Sequence, residues 1–113
     1  MKEFKFADRS ETIKVEGKEY KIDVSKYEFI KACKDQLADL EAAHTKFNEN
    51  KDIEGLIDVM RPVINLILED DFDRLWEIAN HNIYGMIDLA STLTEIINKG
   101  FIYKRSKYVQ PSN

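Results

Sequence analysis

Thr12-Ile13-Lys14-Val15-Glu16-Gly17-Lys18-Glu19-Tyr20-Lys21-Ile22-Asp23 is the stretch that decides the fold. Polar and apolar residues alternate through 12–15 and again through 19–23, which is the period of a strand with one buried face. Gly17 lies between the two runs and supplies the positive φ that a tight turn wants. Ile13 and Val15 share a face of the first strand, and Tyr20 and Ile22 share a face of the second. A two-stranded hairpin is marginal in water, so this one must lean on helices or on another chain. Ahead of it, Phe4 and Phe6 leave open a further strand or a loose arm.

Everything after the hairpin reads as helix. Ser25 as N-cap and Glu28 at the third helical position spell a capping box. The first helix is expected over about 26–48. Ile30, Cys33, Leu37, Leu40 and Phe47, with His44 in the remaining place, form one narrow seam at helical spacing. Asp52 caps a second helix, about 53–68, of a different kind. Its apolar residues Ile53, Leu56, Ile57, Val59, Met60, Val63, Ile64, Leu66, Ile67 and Leu68 cover most of the circumference. Such a helix is buried on several sides, so it is the central helix or leaves part of itself for a partner. Pro62 is expected to kink it or split it after Met60–Arg61.

Acidic residues 69–71 end the run and suit the start of a third helix, about 71–80. After Asn80-His81-Asn82 a fourth helix spans about 83–98, with Gly100 as its stop. Residues 101–113 form a basic, aromatic tail. The expected architecture is α+β and mostly helical. One domain spans residues 1–100, with the hairpin at 12–23 followed by a bundle of four to five helices.

Composition narrows the class. The 113 residues suit one domain, and 43% apolar with 34% charged residues is the balance of a folded globular chain. A lone cysteine, Cys33, excludes an internal disulfide and fits a reducing compartment. Residues 1–6 hold no apolar core of a signal peptide, and the apolar stretch 53–68 is broken by Glu54, Asp58, Arg61 and Asn65. Neither secretion nor membrane insertion is expected. Residues 99–113 carry four basic side chains and no acid, so the rest holds 13 basic and 21 acidic residues, a net of −8. An acidic body argues against general nucleic-acid binding.

No catalytic or metal constellation can be assembled. Cys33 and His44 lie on one helical seam but about 16 Å apart along the axis, too far to share an ion. His81 has no matching ligands. The acidic run 69–73 lacks the loop glycine and terminal glutamate of a calcium hand. There is no phosphate loop, HExxH or Gly-x-Ser-x-Gly, and Cys33 reads as a small hydrophobe. No enzymatic activity and no cofactor are expected. The tail mixes aromatics with cations, as in Tyr103-Lys104-Arg105. That mixture suits base stacking, or a segment laid across the acidic body of its own or a neighbouring subunit.

The hairpin segment 13–23 resembles the opening of tail assembly chaperones from long-tailed phages and prophages of Gram-positive bacteria. These begin with a hairpin of the kind hydrophobic-x-Val-x-Gly-Lys-x-Tyr-x-hydrophobic-Asp, followed by a long helix. Residues 64–76, Ile-Asn-Leu-Ile-Leu-Glu-Asp-Asp-Phe-Asp-Arg-Leu-Trp, resemble the family's later hydrophobic run, turn and helix. The family often has a glycine at that turn, where this chain has Glu69-Asp70. The resemblance covers about residues 12–98. It implies a non-enzymatic protein of the bacterial host cytoplasm. Such a protein coats the helical tape-measure protein, self-associates into a homo-oligomer, and reaches the tail-tube protein through a longer, frameshifted form.

A chaperone for a helical client needs an apolar groove. The second helix is the expected source, with Leu56, Ile57, Met60, Ile64, Leu68 and Trp76 as groove or subunit-contact residues. The alternative is a small cytoplasmic adaptor or regulator that touches nucleic acid through the basic tail.

Overall fold

The computed structural model describes residues 2–101. Two strands, β1 (Ser10–Val15) and β2 (Lys18–Asp23), precede four helices: α1 (Tyr27–Asn50), α2 (Ile53–Ile67), α3 (Phe72–Ile78) and α4 (Ile83–Gly100). The fold is α+β and mostly helical. Residues 2–9 form neither strand nor helix. The tail reading falls on residues 102–113, outside the described residues.

The hairpin is antiparallel, with Ile13 opposite Tyr20 and Val15 opposite Lys18. Glu16 and Gly17 both have positive φ, 47° and 82°, as a two-residue turn matched to strand twist requires. The face carrying Ile13, Val15, Tyr20 and Ile22 turns toward the helices. Tyr20 and Ile22 are buried, and Ile13 and Val15 pack against the core.

The expected capping box does not form. The α1 N-cap is Lys26, which makes no side-chain cap. Ser25 is engaged elsewhere: its backbone N–H and its hydroxyl both donate to Asp23 Oδ1, at 3.0 and 2.6 Å. A carboxylate two residues back outcompetes the helix for the hydroxyl. Asp52 does cap α2, accepting from the Gly55 N–H at 3.1 Å. Asn82 caps α4 in the same way through Gly85.

Helix α2 is central and packs on α1, α3 and α4. Leu56, Met60, Val63, Ile64 and Ile67 are buried along it, and Leu68 just after it. The helix runs unbroken through Pro62. Pro62 and Asp58, whose carbonyl loses its helical partner, are both exposed, so water can take the freed acceptor. From α1 the core receives Cys33, Leu40, Ala43 and Phe47, while Ile30 of the expected seam is exposed.

Helices α2 and α3 end without glycine. In α2 the Asp70 N–H bonds back to the Asn65 carbonyl at 2.9 Å, with Glu69 left-handed at φ 55°. In α3 the His81 N–H bonds to the Trp76 carbonyl and the Asn80 N–H to the Glu77 carbonyl, each at 3.0 Å, with Asn80 at φ 56°. Both are Schellman ends. The second stops α3 at Ile78, short of the expected 80. Gly100 is not a left-handed stop but the last residue of α4. Its missing Cβ makes room for the β2–α1 connection, since an added one would lie 3.0 Å from Val24 Cβ.

Two stability predictions follow from these backbone positions. Gly100→Ala gains helix propensity but drives a methyl into buried Val24, so a net loss of about 1–3 kcal/mol is expected. Val24→Ala in the same chain should recover part of that loss in a double-mutant cycle by urea unfolding. Glu69→Gly relieves a left-handed non-glycine residue and should stabilise by about 1 kcal/mol. Calorimetry should then show Tm rising by roughly 5 °C.

Candidate functional site

Helices α1 and α4 flank α2 without closing over it, and a groove of about 500 Å³ remains between them. Leu40, Leu56, Met60 and Ala90 are its buried floor. One wall is α1, with Leu37, Ala38, Glu41 and His44. The other is α4, with Ile87, Ser91, Thr94, Glu95 and Asn98. The walls arise because α1 and α4 each bury one seam against α2 and turn the neighbouring residues toward each other. Leu37, His44, Ile87 and Thr94 are half-buried, while Glu41 and Glu95 stand exposed at the rim. Floor and lower walls are apolar, and among the described residues the charged side chains lining the groove are acidic, with neither Lys nor Arg beside them.

The structure separates the six expected contact residues. Leu56 and Met60 reach the groove, but as floor, at 1% and 0% exposure. Ile64 and Leu68 are wholly buried in the core and do not line the groove. Ile57 is half-buried and also outside it. Trp76 belongs to a different surface, a ladder along α3. There its ring stacks on Phe72 at 6.0 Å and on His81 at 4.9 Å, and the Arg61 guanidinium lies 4.5 Å over Phe72. The sequence reading missed the α4 wall. Its signal was present in Ile87 and Ala90, apolar residues three apart and so on one face of α4.

The densest polar cluster lies at the α2–α3 turn. Asp71 Oδ2 accepts from Lys18 Nζ at 2.8 Å and from Arg74 Nε at 3.2 Å. It also accepts the Tyr20 hydroxyl, whose oxygen in turn accepts from Arg74 at 2.8 Å. Hydrogen bonds from Lys18, then Tyr20 and Arg74, hold the Asp71 carboxyl far below the usual carboxylate range. Burial first, then the bond to Asp71, raises the Tyr20 phenol. A carboxylate that stays ionised with three donors on one oxygen is a poor proton acceptor. The cluster is a clamp that fastens β2 to the helices. It also explains why Asp71 makes no side-chain cap on α3. Asn65 supplies a cap instead, accepting from the Phe72 N–H at 2.9 Å.

Burial pushes the Cys33 thiol up to about 11, which keeps it protonated and unreactive at neutral pH. Among the described residues, no group of three His, Cys, Asp or Glu is placed to hold a metal ion. No helix among them is long and apolar enough to cross a membrane.

The clamp makes a pH prediction. Asp71 has a folded pKa below its unfolded value of about 3.9, so its contribution is present above that pH and is lost as pH falls through the folded value. Tyr20 has a raised folded pKa, so its contribution is full below about pH 10 and is lost as pH rises through the folded value. Urea melts across pH 2–8 should therefore show an acid-side decline that Asp71→Asn flattens. Tyr20→Phe should cost about 1 kcal/mol at pH 7.

Comparison with protein-family models, with curated proteins and with solved structures finds no match.

Proposed function

We propose that this chain is a tail assembly chaperone of the long-tailed phage kind, a non-enzymatic protein that works without a cofactor. In this reading it binds the helical tape-measure protein in the bacterial host cytoplasm, keeps it soluble, and self-associates. A longer, frameshifted form would bring in the tail-tube protein. The observation that carries the reading is the groove between α1 and α4, with an apolar floor of Leu40, Leu56, Met60 and Ala90. Grooves of this kind accept the apolar face of an amphipathic helix. The resemblance of residues 12–98 to the chaperone family supports the same reading.

The test is co-expression with the tape-measure protein encoded by the same genome. Wild-type chain should move most of the client into the soluble fraction and co-purify with it in high salt. Leu37→Asp and Ile87→Asp alter half-buried groove walls rather than the core. They should stay helical by circular dichroism and lose the client. A tape-measure protein equally soluble with and without the chain would refute the proposal.

A further inference from the structure

The groove has a charge signature that names its occupant more closely. Its charged lining residues are Glu41 on the α1 wall and Glu95 on the α4 wall, one carboxylate on each side of an apolar floor. Both are exposed, and among the described residues neither is engaged by a salt bridge. The α4 wall runs from Ile87 to Asn98, about 16 Å at the helical rise, or three turns. An extended strand could also lie here. The floor residues, however, come from three helices and offer side chains rather than a free backbone edge, so main-chain pairing has no partner.

We infer that the groove takes a three-turn amphipathic helix whose apolar stripe is flanked on both sides by Lys or Arg. The stripe packs between the half-buried walls Leu37 and Ile87, over the edges of Leu40 and Ala90. The flanking cations meet Glu41 and Glu95. The apolar contact supplies affinity, and the rim pairs select and orient, because exposed ion pairs are weak and salt-screened. This inference rests on the reading of the chain as a binder of helical clients, but its test needs no tape-measure protein.

Two designed helical peptides, each with one three-turn leucine stripe, are titrated against the full chain by fluorescence anisotropy. One has lysine flanks and the other glutamate flanks. The lysine peptide should bind about fivefold more tightly in low salt, the sum of two weak rim pairs. In high salt the preference should shrink while binding persists. Glu41→Lys with Glu95→Lys should invert the preference without changing Tm, since both residues are exposed. To place the peptide, Ser91→Cys on the α4 wall carries a benzophenone maleimide, to which buried Cys33 does not react. Illumination should crosslink the lysine peptide.

Equal binding of both peptides, or a preference that the double variant leaves unmoved, overturns the inference. So does a crosslink that goes to residues 102–113 or to a second copy of the chain in the presence of saturating peptide. Selective peptide binding with an unaltered tape-measure protein would leave the groove assignment standing and remove only the phage role.

Discussion

A helix that is apolar around most of its circumference has to be covered on most of its circumference, and in a chain this small little else is available to do it. Helix α2 sets that demand. Each large apolar side chain it hides contributes about 1.5–3 kcal/mol, so Leu56, Met60, Val63, Ile64, Ile67 and Leu68 dominate the core. Coverage comes from three directions: α1 along one side, the short α3 at the C-terminal end, and α4 along another side. Two cylinders laid on a third do not close the angle between them. The groove is that angle, which is why its floor is core and its rim is solvent-exposed.

The other end of the molecule depends on the turn at 69–71. Its backbone is costly, because Glu69 and Asp70 are consecutive left-handed residues, each disfavoured by about 1–2 kcal/mol. The surroundings offset that cost. The turn satisfies the end of α2 through the Asp70 bond to Asn65. It also carries Asp71 to the place where Lys18, Tyr20 and Arg74 converge on it. An isolated hairpin would not hold; this one is held by the Asp71 clamp and by the burial of Tyr20, Ile22 and Val24. The clamp and the groove are separate devices, one fastening the fold and the other leaving a surface open.

The charge distribution agrees with that division of labour. Cations at the α2–α3 turn are spent on carboxylates of the same chain, as Lys18 and Arg74 are on Asp71 and Arg61 is on Asp73. At the groove rim, by contrast, no Lys or Arg among the described residues lines the groove with Glu41 and Glu95. Those two acids are what the flanking cations of the proposed helix would meet.

Much of this was legible without coordinates. Alternation in 12–23 specified the hairpin and its buried face, the breadth of the 53–68 run specified the central helix, and Asp52 announced its start. These are local signals: they state which residues avoid water and where backbone donors need a cap. What failed was also local in appearance but decided by competition. Ser25 looked like a cap until Asp23 claimed its hydroxyl, Gly100 ends α4 as expected but by leaving space for Val24 rather than by a left-handed turn, and of the kink or split expected at Pro62 the split does not occur, since solvent can satisfy the freed carbonyl. Trp76 looked like part of the groove because periodicity cannot tell which neighbour an apolar face meets. Only the tertiary structure brought Tyr20 to Asp71 across 51 residues of chain, and only it set the α4 wall opposite α1. By itself the sequence determined the elements, their order and the helix that must be buried. The clamp and the groove arise from contacts between distant segments, whose geometry no periodicity records.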